Sequence, residues 1–577
     1  MTRLARLRPR LHPALWISLA VAACMDASGP QLRIAARLES ASSATLAGAP
    51  GAPLAEPIRV RVVDGQGTGV AGERVTFSIA SGGGQVEPAE AVTDSDGLAA
   101  AEWRLGLQPG TQTLRATNGA RSLTLSATAI DGPGARIAYV SGGRPQAELL
   151  PAGCIIPEPL VVRVTDAQGR PVAGATVSFE DAGGGASASP GVATTDGLGL
   201  ARTTWRLGYE GGQSVLRAVL RTVASPSIEV TAAGTVAAPG GYSVIGNTVF
   251  DPATCAPIRF RGVTRPSLQW HWGGDERFEK IGEDWATIAS WKANLVRLPV
   301  SQTYWVPGTR QHDPGYKARV VDAVAKARAL GLAVVIDLHA SDRGDRNYAG
   351  VPDGQQMPDV EISLPFWRDV AATFKDDGGV IFELYNEPHD VSPAIWLNGG
   401  DIAAGPSYPG DPETRAAYRA VGMQELYNAV RSQGARNLVL ISGLHWGYYL
   451  NHLPTHAVQG YNIAYSSHPY DWPDKQAGVW EADFGVVSST VPVIIGEFGA
   501  YDCTRLSYYR QILDYADQKG LGWIAWAWWT PPAVGVAGRT AESRMQEICR
   551  FPALITDWNG TPSPSGEIIK ARLASYP

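Results

Sequence analysis

Two rhythms divide the chain. From residue 33 to about 235, apolar residues alternate with polar ones in short runs, and Asp-Gly and Gly-rich turns break them. The run "VRVVDGQGTGVAGERVTF" (60–77) returns as "VRVTDAQGRPVAGATVSF" (162–179), identical at 11 of 18 positions. Later in each copy come "EWRLG" (102–106) and "TWRLG" (204–208), then "GTQTLRA" (110–116) and "GGQSVLRA" (211–218). Alternation with this turn chemistry predicts a β-sandwich, present twice, over 33–131 and 134–234.

Beyond "TVAAPGGYS" (235–243), whose small residues, Pro and Gly read as a linker, the rhythm changes. Strand-like runs now alternate with stretches of helical character, such as "YKARVVDAVAKARALG" (316–331) and "ETRAAYRAVGMQELYNAVRSQG" (413–434). Strand–helix alternation predicts a parallel sheet with crossover helices. Eight strands are expected, at 259–263, 294–300, 333–339, 380–387, 437–443, 463–470, 491–498 and 522–529. Eight such units within 244–577 fit a (β/α)8 barrel, whose functional groups gather at the C-terminal ends of the strands.

One of those ends is the stretch "IFELYNEPHD" (381–390), an apolar run that stops at Asn386-Glu387-Pro388. Proline cannot donate to a ladder, so Glu387 is expected where the strand gives out. In "VIIGEFGA" (493–500), Glu497 holds the same place after strand seven. Two carboxylates at one barrel mouth can split glycosidic chemistry, one protonating the leaving oxygen and the other attacking carbon. Each could instead cap a helix or pair with an arginine, a reading that two matched strand ends make hard to sustain.

Composition narrows the function classes. A net charge of −6 gives no reason to expect nucleic acid as a partner. Eighteen tryptophans crowd into the C-terminal part and suggest flat surfaces for sugar rings. Candidates are Trp270, Trp272, Tyr304, Trp305, Trp446 and Trp472, each in a loop after a strand. At the N-terminus, Arg3, Arg6, Arg8 and Arg10 precede the apolar "ALWISLAVAA" (14–23). That run is shorter than the roughly 20 residues a membrane span needs, so 1–23 is expected to be an export signal. Export permits disulfides: Cys503 and Cys549, within one domain, are the expected pair, which leaves Cys154 and Cys255 to pair by elimination.

Three resemblances follow from these residues. "VAAC" (21–24) resembles a bacterial lipobox, which implies acylation of Cys24 and a membrane link through that lipid alone. The repeats resemble bacterial immunoglobulin-like modules of the invasin type, which mostly serve as spacers. Residues 242–577 resemble family 5 glycoside hydrolases, the cellulase-like group of the four/seven clan. Transferred residue by residue, the resemblance makes Glu387 the general acid/base and Glu497 the nucleophile, with Asn386 on the sugar 2-hydroxyl. It places Arg297, His339, His468 and Tyr470 around them, with either Trp526 or Trp528 from strand eight. His339 and His468 read equally well as structural hydrogen-bonders.

The chemistry that the resemblance implies needs no cofactor and no metal. Its substrate would be a β-1,4-glucan, or a mannan or mixed-linkage glucan within the same family, cut by a monomeric enzyme. The protein would be secreted or held at the outer membrane or cell surface. A rival of another class is a non-catalytic surface adhesin, suggested by the lipobox and the repeats. Glu387 is expected to be protonated near neutral pH, its proton held by the negative charge of Glu497.

Overall fold

The computed structural model describes residues 33–108, 110–129, 136–143, 149–166, 169–222, 225–269, 280–341, 355–406 and 416–577. The expected signal, Cys24, Trp270 and Trp272 lie outside the described residues. The chain divides into two compact units, Met1–Asp131 and Gly132–Pro577.

The first unit is a two-sheet sandwich. Strands Arg37–Ser40, Ile58–Val63, Leu98–Leu105 and Gly84–Glu87 pair in that order. A five-stranded sheet runs Leu46–Gly48, Arg121–Ala129, Gly110–Asn118, Arg74–Ser81 and Glu90–Val92. The alternation seen in the sequence is burial alternation: Val60, Val62, Val75, Phe77, Trp103 and Leu114 fill the space between the sheets. The second copy repeats the arrangement at the start of the second unit, and Trp205 takes the central buried place that Trp103 has in the first.

All eight expected barrel strands are present and close on themselves. They are β1 (Arg261–Thr264), β2 (Leu295–Ser301), β3 (Ala333–Ala340), β4 (Val380–Glu383), β5 (Val439–Ser442), β6 (Ile463–Ser467), β7 (Val493–Ile495) and β8 (Gly522–Ala525). Every neighbouring pair is parallel, including β1 with β8. Successive side chains point to opposite faces. Leu295, Ala333, Val335, Ile381, Leu440, Ala464, Ile494 and Ile524 therefore fill the barrel floor. Val296, Val334, Ile336, Phe382, Val439 and Ile441 pack outward among the helices. The same inward phase, continued towards the strand ends, presents Arg297, Asp337, His339, Glu383 and Ser442 to the interior.

Two expectations need correction. Among the described residues of the stretch 413–434, expected to be one helix, the helix covers Met423–Arg431; before it, Tyr418–Ala420 pairs with Gly400–Ile402 as a short ribbon. Gly422 marks the change, because its backbone lies against Gly399 and Asn398 too closely to carry a Cβ. The helix expected over 316–331 is found as Tyr316–Ala329.

The second correction concerns 235–243, which is mostly buried and closely packed, apart from the exposed Pro239 and Gly240, where a linker was expected. Ala237 and Ala238 have no exposed surface, and Tyr242 packs edge-on against Phe260 at 4.8 Å to stopper the barrel floor. The small residues serve close approach: a Cβ on Gly378 would lie 2.3 Å from the Gly241 backbone. Other ties join the second sandwich to the barrel. They are the Cys154–Cys255 disulfide, an Arg436–Glu210 ion pair at 2.7 Å, and a hydrogen bond from the Ala152 N–H to Ser243 Oγ at 3.1 Å. The second disulfide, Cys503–Cys549, lies within the barrel domain.

Three outcomes follow for stability. Tyr242→Ala should cost about 3–5 kcal/mol, the usual loss for emptying a large aromatic site, read as a lower urea midpoint of the barrel transition. A fragment starting at residue 244, which lacks this stopper, should melt below one starting at residue 132. Cys154→Ser combined with Cys255→Ser opens a loop of 101 residues, and such a loss typically costs about 2–5 kcal/mol. Calorimetry under oxidising conditions checks it; an unchanged melting temperature would mean that the bond stabilises nothing.

Candidate active site

Arg297 sits on the inward phase of β2 with no exposed surface. Buried guanidinium is costly unless its donors are taken up, and here all three nitrogens are occupied. Nε donates to Glu383 Oε2, Nη1 to Glu497 Oε1, and Nη2 to Asn386 Oδ1 at 2.8 Å. Nη2 also lies 3.0 Å from Asp337 Oδ2. Burial works against the cation, but Asp337, Glu383 and Glu497 outweigh it and keep Arg297 charged. Burial alone would raise Glu383; Arg297 and His468 instead hold it down to about 2. Asp337 is pushed by burial up to about 6, against the pull of Arg297 and His339.

Glu497 follows β7 directly and is almost fully buried. Its second oxygen accepts a hydrogen bond from the Tyr470 hydroxyl at 2.7 Å, so two donors on two oxygens fix the carboxylate plane. Burial and the Glu497 charge both keep the Tyr470 phenol protonated.

Strand β4 ends at Glu383, earlier than expected, but the chain stays extended: the Leu384 and Asn386 N–H groups donate to Leu440 and Leu338. This carries Glu387 to the mouth, where it is partly exposed and receives His468 Nδ1 at 3.1 Å. One ligating atom each from Glu387, His468 and Glu497 lies within 4.8 Å of the others. Segments far apart in sequence thus converge on one point, which spacing alone did not reveal.

The protonation pattern differs from the expected one. Burial pushes Glu387 up, but the hydrogen bond and charge of His468, with Lys475 and His339, outweigh it and set its pKa below the ordinary value. Burial disfavours the His468 cation, yet Glu497, Glu383 and Glu387 raise it to about 9. Both shifts favour a proton on the His468 imidazole over one on the Glu387 carboxyl. Glu497 does act on the proton, but through His468.

Two glycines leave room for that imidazole. A Cβ on Gly496 would lie 3.0 Å from His468 Nε2, and one on Gly447 would lie 2.8 Å from Nδ1. Gly447 ends a run of three left-handed residues with His445 (φ 54°) and Trp446 (φ 59°). Non-glycine residues pay for that conformation, and such strain concentrates at functional loops. Here it lays the Trp446 indole flat on His389, with ring centres 3.7 Å apart.

The strand-eight choice resolves on geometry. Trp526 stacks on His339, 5.6 Å away and 13° from parallel, and packs beside Tyr470 and Phe551. His339 in turn meets Asp337 Oδ2 at 2.7 Å. Trp528 is wholly buried against Trp291 on the outer side and does not reach the site; both tryptophans lie past the end of β8, where strand alternation no longer sets the face. Tyr304 and Trp305, expected as platforms, are core residues that pack on Tyr316. A cavity of about 450 Å³ opens beside Glu387, lined by Trp446, Tyr470, Trp472, Tyr501, His445, Asp474 and Lys475. Sequence reasoning missed Glu383, Asp337, Lys475 and Tyr501. Glu383 stands four residues before Glu387, inside what reads as a plain apolar strand.

Residues 252–531 match the family described as Cellulase (glycosyl hydrolase family 5). Endoglucanase CelA of Streptomyces lividans is 26% identical over 328 residues, 55% of this chain and 61% of that protein. Cellulase CelDZ1 of a Thermoanaerobacterium species is 22% identical over 290 residues, 47% of this chain and 66% of that one. The chain thus spans less than two thirds of either relative. A solved β-glucanase of Saccharophagus degradans in complex with cellotetraose is 20% identical, covering 58% of this chain and 93% of its own, with a TM-score of 0.43. The match to that family's model spans all eight strands of the closed (β/α)8 barrel.

Proposed function

We propose that the protein is a retaining endo-β-1,4-glucanase working by double displacement, with Glu497 as nucleophile and Glu387 as acid/base. The approach of the two carboxylates carries this reading. Their nearest oxygens lie within 4.8 Å, whereas an inverting pair stands roughly 6.5–9.5 Å apart to admit water. The names of the relatives favour glucan as substrate.

The unequal surroundings of the two glutamates support this division of roles. Glu497 is held by Arg297 and Tyr470, whose donors suit an anion aimed at the anomeric carbon. Glu387 shares a proton with His468. As Glu497 bonds to carbon its charge vanishes, and with it the strongest attraction holding the proton on His468. The proton then passes through Glu387 to the departing oxygen. When water attacks the glycosyl-enzyme, Glu387 takes its proton while the Glu497 charge returns and draws that proton back to the pair. Asn386, turned by Arg297, would meet the sugar 2-hydroxyl. Trp526 would form the floor of the cleaved sugar's subsite, with Trp446 and Trp472 carrying further rings.

The remaining assignments belong to the same reading. The two sandwiches would be immunoglobulin-like spacers, and Cys24 the lipid attachment that holds a monomer at the outer surface of a bacterium.

Azide rescue tests the roles. Glu497→Ala should lose nearly all activity on every substrate, and azide should yield the inverted glycosyl azide. Glu387→Ala should lose about 10²–10⁴-fold on natural glucan, the usual worth of acid–base help. It should keep the first step on a dinitrophenyl cellobioside, and azide should restore turnover with retained configuration. The opposite pairing of products would reverse the two roles.

A further inference from the structure

Glu383 is a fully buried carboxylate to which the reaction above gives no task. It lies on the inward phase of β4, beneath the two reacting glutamates. Oε2 accepts from Arg297 Nε, the guanidinium that also holds Glu497 and Asn386. Oε1 accepts from the Ser442 hydroxyl at 3.1 Å and stands 3.8 Å from His468 Nε2. That second separation is longer than a hydrogen bond but close enough for strong attraction between opposite charges in a dry site. His468 Nε2 is buried without any hydrogen-bond partner, while Nδ1 is taken by Glu387. One side chain therefore touches the holder of the nucleophile on one oxygen and faces the holder of the acid/base with the other.

We propose that Glu383 is the positioning residue that links the two halves of the site: it anchors Arg297 and sustains the imidazolium form of His468 beside Glu387. The inference deepens the glucanase reading and rests on it for its catalytic consequence. The charged groups that bear on the arrangement come from five strands and the turns after them. Arg297 projects from β2, and Asp337 with His339 from β3. Glu387 follows β4, His468 follows β6, and Glu497 follows β7. Lys475, from the loop after β6, acts on Glu387. Among them, Glu383 is the anion that faces Nε2, and Arg297, with His468, outweighs burial and holds its carboxyl down to about 2. A carboxylate that only balanced Arg297 would need no approach to His468. Ser442, donating to Oε1, holds that oxygen on the His468 side.

Glu383→Gln separates the two possibilities, since the amide oxygen can still accept from Arg297 while the charge is gone. The His468 ring titration, followed by NMR on selectively labelled histidine in the full chain, should move to lower pH by about one unit or more. Loss of an opposite charge at 4–6 Å has an effect of that order. The alkaline limb of kcat/KM on a soluble β-glucan should move with it, because the His468–Glu387 pair then loses its proton earlier. Glu383→Asp keeps the charge but draws it back by one methylene, and should give a smaller shift in the same direction. That variant reads the inference if the amide variant does not fold. A His468 titration and an alkaline limb that stay in place, with activity lowered equally at every pH, would overturn the inference. The ring titration needs no substrate, so a protein inert on every glucan would contradict the glucanase reading and leave this measurement decisive.

Discussion

A guanidinium with no path to water must be met by acceptors on every side, and Arg297 is met by two glutamates, an aspartate and an asparagine. Those partners come from β3, β4 and β7 and from the turn after β4, so satisfying one side chain fixes the relative height of three strand ends. Removing one partner of a buried ionic group commonly costs about 3–5 kcal/mol, which makes the cluster a poor place to tolerate change. Its return is precision: the carboxylate of Glu497 and the amide of Asn386 are turned by the same fork. The neighbouring His468–Glu387 pair repeats the logic with a group that can release its proton.

Such a cluster needs a rigid vessel. Apolar side chains fill the barrel floor on the inward phase, and Tyr242 closes it from below. The segment bearing Tyr242 comes directly from the second sandwich, and a disulfide and an ion pair tie that sandwich to the barrel. The second sandwich thus braces the end of the barrel opposite the site. Above the floor, Gly496 and Gly447 give the His468 ring its place by lacking a side chain.

Much of this was legible in the sequence, and what was not has physical reasons. Alternation exposed the sandwiches because one face of each strand meets water. The barrel strands were found as apolar runs, and their boundaries slipped where Leu384 to Asn386 stay extended without full pairing. Glu387 and Glu497 stood out because carboxylates at strand ends have little structural use. Glu383 did not, since a strand buried on both faces shows no phase from which an inward position could be read. Trp526 and Trp528 were ambiguous for another reason: both lie past the end of β8, where alternation no longer sets the face, and they point to different sides of the barrel. The mostly buried run at 235–243 misled because glycine and alanine serve close packing as well as they serve flexibility. The charge state of Glu387 could not be foreseen without His468 placed against it.

The central claim is that Glu497 forms a covalent bond to the sugar while the His468–Glu387 pair manages the proton. A 2-deoxy-2-fluoro cellobioside with a dinitrophenolate leaving group tests it directly, since the fluorine slows the second step and traps the intermediate. Mass spectrometry of the digested enzyme should then find one fluorocellobiosyl unit, on the peptide containing Glu497 and on that residue. A label on Glu387, or cleavage of the reagent with no label and inverted sugar released, would contradict the account.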